Sequence, residues 1–106
     1  MRKGHIVLVP FPFTDLSGQK VRPALVLSVS AGEDCIVAFI SSTEKKRSVF
    51  TVPIKATSAN GLKVNSVVKL DKLATLQKKI VLGELGMAEK PVLTAADAAL
   101  KRLFNL

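Results

Sequence analysis

Tryptophan and tyrosine are absent from this chain, cysteine and histidine occur once each, and acidic residues number half the basic ones. Each shortage excludes something. One cysteine, Cys35, rules out an internal disulfide and any zinc site built from several thiolates; next to Ile36 and Val37 it reads as a buried thiol in a strand, suited to a reducing cytoplasm. With His5 the sole histidine, there is no HExxH motif and no His pair, and nothing in the sequence joins His5 to Cys35 as a nucleophilic couple. No carboxylate cluster has metal-ligand spacing either, so no metal and no other cofactor is expected. No apolar run approaches the roughly 20 residues that cross a bilayer. The opening MRKGHIVLVPFPF carries charges but no small-residue cleavage site. A soluble, cytoplasmic protein without membrane attachment is the expectation.

What is present is a globular composition. Hydrophobic residues make up 48% of the 106, chiefly Val, Leu, Ile and Ala, with five Phe. A chain of this length buries roughly 60 to 70% of its unfolded surface and folds as one domain, here residues 1–106. Sixteen Lys and Arg against eight Asp and Glu give a net charge of +8. On so small a body that is a positive field that draws in polyanions, with nucleic acid the leading class and acidic proteins attracted equally.

Short β-branched and aliphatic runs recur along the chain at Ile6 to Val9, Ala24 to Val29, Ile36 to Ile40, Phe50 to Ile54 and Ser66 to Leu70. Turn residues separate them: Pro10 and Pro12, Ser17-Gly18, Ala31 to Asp34, the charged EKKRS at 44–48, and Ser58 to Gly61. This rhythm predicts a mainly β protein, a small barrel. A further strand, KKIVLGEL at 78–85, bends at Gly83. The period then changes. In TAADAALKRLF, Thr94 is placed to cap a helix with Asp97 three residues on, and Ala96, Leu100, Leu103 and Phe104 share a face. Lys101 and Arg102 complement the dipole of that C-terminal helix.

Two stretches carry candidate chemistry. In TDLSGQKVRP the polar residues 14–20 form a turn, and Lys20 and Arg22 follow at the foot of a strand. Pro23 keeps Arg22 extended, and a guanidinium offers a planar fork of donors that never deprotonates, so Arg22 suits a phosphate. It equally suits a carboxylate such as Asp15 or Asp71. In FISSTEKKRS a strand ends in Ser41, Ser42 and Thr43, followed by Lys45, Lys46 and Arg47. Hydroxyls at a strand end contact phosphate while cations neutralise it; the same pattern also makes a solvated hairpin loop.

The segments KGHIVLVPFPFTDLSGQKVRPALVLS, VAFISST and LKVNSVVKLDKLATLQKK, in that order, resemble the MazF/PemK-type toxins of type II toxin–antitoxin modules over nearly the whole chain. The resemblance implies an SH3-like β-barrel with a C-terminal helix, acting as a homodimer. It implies an mRNA interferase: sequence-selective, metal-independent cleavage of single-stranded RNA by attack of the 2′-OH, restrained by an acidic antitoxin protein. It makes Arg22 and Ser41 the catalytic pair and places Thr14, Ser17, Lys20, Ser42, Thr43, Lys45, Lys46, Arg47 and Gln77 along the RNA. The chain departs from the family pattern at His5, where Asp is usual, at Ser41, where Thr is common, and at Ala74, where many members carry Arg. Two other classes share such a barrel: a DNA gyrase poison of the CcdB type and an RNA-binding barrel without catalysis.

Overall fold

The computed structural model describes residues 1–11, 20–42 and 48–106, with Phe11 by its backbone alone. Six strands form one antiparallel sheet: β1 (His5–Phe11), β2 (Lys20–Val29), β3 (Asp34–Ser41), β4 (Thr51–Ile54), β5 (Ser66–Gln77) and β6 (Gly83–Met87). A helix, α1 (Lys90–Phe104), ends the chain. The spatial order is β4-β5-β3-β2-β1-β6, so β4 and β6 are the edges.

The apolar runs are nearly unbroken because both faces of the sheet are covered. Successive residues point to opposite faces, and each face has its own cluster. Ile6, Leu25, Ala38, Ile40, Val52, Ile54, Val68 and Leu70 pack with Ala96 and Ala99 of α1. Val7, Val9, Ala24, Val26, Cys35, Val37 and Leu76 pack on the other side. Burying each such aliphatic side chain stabilises the fold by roughly 1.5–3 kcal/mol. The mainly β sheet with a C-terminal helix is the architecture expected.

Four local expectations need correction. The fifth strand does not stop at Leu70: Phe39 pairs with Lys69 while its neighbour Ala38 pairs with Leu73, so residues 70–72 form a bulge and β5 resumes beyond it. That bulge hides the strand in the sequence, because Asp71 and Lys72 interrupt the alternation. Residues Lys78–Ile80 are a short 3-10 turn, not strand, and β6 begins only at Gly83. The helix starts a turn earlier than a Thr94 cap would place it, with Glu89 as N-cap and Pro91 in the first turn. Proline there sacrifices an N–H that has no helical partner anyway. Thr94 instead donates to the Lys90 carbonyl at 3.1 Å, and Asp97 pairs with Lys3 at 2.8 Å. Phe104, expected on the packed face, is 57% exposed.

The sheet curls until its edges meet through the loop between β4 and β5. The buried Asn60 organises that loop: its Oδ1 accepts from the N–H groups of Thr57 and Leu62, both at 3.0 Å, and its Nδ2 donates to the Lys55 carbonyl at 2.7 Å. The Met87 N–H on β6 then donates to Ala59 at 2.9 Å. Glycine is required on both sides of this seam. A Cβ on Gly86 would strike the Ala59 carbonyl oxygen, and Gly61, at φ +72°, lies against the Leu85 carbonyl.

Candidate active site

Pro23 determines where the site opens. The paired register of β2 and β3 ends at Ala24 opposite Phe39, and the next residue on β2 is a proline with no N–H to give. Val21, Arg22 and Pro23 on one strand and Ile40, Ser41 and Ser42 on the other lie beyond that last β2–β3 pair. β1 still pairs on the far side of β2, with Val9 opposite Arg22 and Leu8 opposite Pro23, so Arg22 stands on a held strand and not on a loose tail.

The gap is a cavity of about 300 Å³. Arg22, Pro23, Ile40 and Ser42 line it from the parted strands, Leu8 and Leu85 from β1 and β6, Leu62, Lys63 and Val64 from the loop that Asn60 holds, and Ser66 from the start of β5. Its walls are chiefly apolar, with two cations and two hydroxyls. The Ser66 hydroxyl donates to the Val64 carbonyl at 2.9 Å.

The expected site residues therefore separate into groups. Arg22 and Ser42 both border the cavity, but strand pairing turns their side chains to opposite faces of the sheet. Ser41 lines no part of it; two residues beyond the Ala24–Phe39 pair, strand alternation puts Ser41 and Arg22 on the same face of adjacent strands, the face of Val7, Val9 and Val37. Lys20, two residues before Arg22, is exposed on that strand as well. Gln77 lies apart: it pairs with Asp34, at the end of β3 opposite to Ser41. Thr14, Ser17, Thr43, Lys45, Lys46 and Arg47 lie outside the described residues, as does Asp15.

Among the described residues neither Arg22 nor Lys63 has a carboxylate within ion-pair distance, and Asp71 is exposed without pairing to Arg22. His5 stands elsewhere: its Nδ1 is 3.1 Å from Glu84 Oε1, joining the start of β1 to β6. That hydrogen bond, ahead of the charge of His5 and the N-terminal amine, holds the Glu84 carboxyl below its ordinary value. Burial pushes the Cys35 thiol up, with Lys78 opposing, so it sits as an unreactive core group. No group of three or more His, Cys, Asp or Glu converges among the described residues, and no helix there is long and apolar enough to cross a membrane.

The sequence reading missed Lys63 and Ser66. The signal available was Asn60-Gly61, read only as a break between strands; a turn that must fold back against another strand carries its following residues to a defined place.

Comparison with known proteins identifies the family and the fold. A family described as PemK-like, MazF-like toxin of type II toxin–antitoxin system matches residues 2–104. Among solved structures, MazF (Form-I) from Deinococcus radiodurans superposes with TM-score 0.80 at 26% identity, covering 100% of this chain and 97% of that one. The MazE–MazF complex (Form-II) from the same organism gives 0.82 at 25%, covering 100% and 96%. An endoribonuclease in complex with its cognate antitoxin, from Mycobacterial species, gives 0.80 at 17%, covering 100% and 96%, a likeness of fold. No match is found among curated protein sequences. With residues 2–104 matched, the chain belongs to the PemK-like, MazF-like toxins of type II toxin–antitoxin systems.

Proposed function

We propose that this toxin is an endoribonuclease that cuts single-stranded mRNA at selected sequences without a metal ion. The observation that carries the reading is Arg22: a guanidinium on a paired strand, without a carboxylate partner among the described residues, set where β2 and β3 part beside the hydroxyls of Ser41 and Ser42. RNA supplies its own nucleophile. The 2′-OH attacks the adjacent phosphorus, loses its proton, and the 5′-oxygen leaves with a proton gained, giving a 2′,3′-cyclic phosphate and a 5′-OH. The protein has to align these atoms and stabilise the added negative charge on the phosphate oxygens. Arg22 fits the second task. A group that stays protonated above pH ~12 is a poor base, so its part is electrostatic.

Such a toxin requires restraint. MazF of Deinococcus radiodurans forms a complex with MazE, and the Mycobacterial endoribonuclease with its antitoxin. A net charge of +8 suits an acidic, largely disordered partner segment lying over the RNA groove, and we read this toxin as a cytoplasmic homodimer held by such an antitoxin.

The test is cleavage of a long single-stranded RNA in EDTA by wild type and Arg22→Ala, with the product ends mapped. Discrete cuts with cyclic-phosphate and 5′-OH ends, slowed on the order of 100 to 1,000-fold in the variant, are expected. Intact RNA across several substrates overturns the reading in favour of a gyrase poison or a silent binder, and undiminished cutting by the variant removes Arg22 from the chemistry.

A further inference from the structure

We infer that Lys69 is a second phosphate-binding residue, holding the phosphate next to the scissile one so that the RNA backbone runs across the sheet over Arg22, Ser41 and Lys69; the inference rests on the ribonuclease reading. Strand pairing sets the three side by side. Lys69 on β5 stands opposite Phe39 on β3, as Ala24 on β2 does from the other side, and Ser41, two residues beyond Phe39, stands opposite Val67. Arg22, two residues before Ala24, therefore shares a face with Ser41 and Lys69, one cation to each side of the hydroxyl. Lys69 is the diagonal neighbour of Ser41, about 7–8 Å away between backbones and within reach of a long side chain.

Burial singles out the same two cations. Among the described Lys and Arg residues only Arg22, Lys69 and Lys78 are half-buried, and the rest are exposed. Lys78, just past the far end of β5, donates to the Ser30 and Gly32 carbonyls at 2.8 and 2.6 Å. Lys69 has no carboxylate within ion-pair distance among the described residues, and the Thr51 hydroxyl on the strand opposite it donates to the Ser48 carbonyl at 2.9 Å. Drawing a charge out of water without a counter-charge costs free energy, so two half-buried cations without carboxylate partners, flanking one hydroxyl, make a place that a polyanion completes. Both are fixed before it arrives, because Arg22 is paired to β1 and Lys69 to β3 and β4. Their strands lie two spacings apart, roughly 10 Å, and their side chains stand roughly perpendicular to the sheet. That separation suits two neighbouring phosphates of an extended strand and not two oxygens of one phosphate.

The experiment takes a short RNA with one mapped cut, blocked by 2′-deoxy substitution at the attacking nucleotide, and replaces its phosphates one at a time with uncharged methylphosphonate. Affinity is measured for wild type, Lys69→Met and Lys69→Arg, and antitoxin binding separately. In wild type, removing the charge next to the scissile phosphate is expected to weaken binding roughly tenfold, the scale of one charge-assisted hydrogen bond. Lys69→Met is expected to show that loss already on the unmodified RNA and no further loss at that position, while Lys69→Arg restores the response. A lysine that only supported the fold would add its loss to that of every phosphate alike, and a thermal melt of both variants checks that the fold holds. Losses that add at every phosphate overturn the inference and leave Lys69 a part of the general field. Coincident losses at the scissile phosphate alone overturn it and put both cations on one phosphate. Unchanged RNA affinity of Lys69→Met with antitoxin binding lost overturns it and gives the residue to the antitoxin. A wild type that cuts no RNA overturns the ribonuclease reading and this inference with it, whereas cutting with additive losses overturns the inference alone, which tells the two failures apart.

Discussion

At the scale of single residues, the two serines that follow Ile40 have different tasks, because a strand turns consecutive side chains to opposite faces. Ser41 shares a face with Arg22, whereas Ser42 looks into the cavity. We therefore expect Ser41→Ala to slow cleavage on the order of 100-fold at every site alike, the effect of removing one donor to a developing oxyanion. Ser42→Ala should act unevenly, costing more at some flanking bases than at others. Single-turnover rates on a panel of short RNAs that differ only beside the cut measure both. A uniform loss for Ser42→Ala with none for Ser41→Ala would move the scissile phosphate into the cavity. His5, the family's usual Asp position, is accounted for away from the chemistry. It bonds Glu84, whose carboxyl is held below its ordinary value. A depressed carboxylate contributes stability that is present above its unfolded value, about pH 4.3, and is lost as pH falls through the lower folded value. Glu84→Gln should accordingly flatten the acid limb of a melting-temperature profile below that pH and leave neutral pH almost unaltered; the exposed position keeps the effect small.

At the scale of elements, the loop between β4 and β5 closes the sheet and also furnishes half the cavity. Asn60→Ala removes two accepted bonds and one donated bond at a residue 1% exposed. Leaving buried N–H and C=O groups unpaired costs about 1–3 kcal/mol each, so for three groups we expect a loss of roughly 3 kcal/mol or more and, at about 4–8 °C per kcal/mol for a domain of this size, a melting point lower by roughly 12 °C or more. Gly86→Ala should be comparable, since its Cβ meets backbone that cannot step aside. Chemical denaturation of both variants checks this, and a change under 1 kcal/mol would mean the seam is not holding the curl. This loop also shows where sequence reading works and where it stops. Alternation and turn residues located β1 to β4 and the existence of the terminal helix, though not its first turn, because those signals are local. β5 beyond Leu70 was hidden by its bulge, and the 3-10 turn at 78–80 by an apolar run that looks like strand. The place of Arg22 at the foot of β2 was legible because Pro23 marks it. Lys63 and Ser66 were not, because what places them is the long-range fit of Gly61 and Gly86 across the sheet edges, which no local spacing records.

At the scale of the whole molecule, the net charge of +8 poses the question of whether RNA sees a diffuse field or a line of particular cations. The two alternatives differ in how binding responds to salt. A cation that neutralises a phosphate releases counterions, and for single-stranded nucleic acid each such contact adds about 0.7 to the slope of log affinity against log salt. Lys20 lies two residues from Arg22 on the exposed start of β2. Lys101, in the last turn of α1, serves the helix dipole instead. If contacts rule, Lys20→Gln lowers the slope by about 0.7 and Lys101→Gln leaves it alone; if the field rules, both substitutions weaken binding equally at low salt and neither changes the slope distinctly. Binding isotherms of a 2′-deoxy-blocked RNA from about 50 to about 300 mM salt, across which screening grows markedly, separate these. We expect the first result, and it bears on restraint of the toxin. An antitoxin competing for a line of cations must cover them, so Lys20→Gln should weaken antitoxin and RNA together, whereas a partner drawn by the field alone would lose association rate and keep its place.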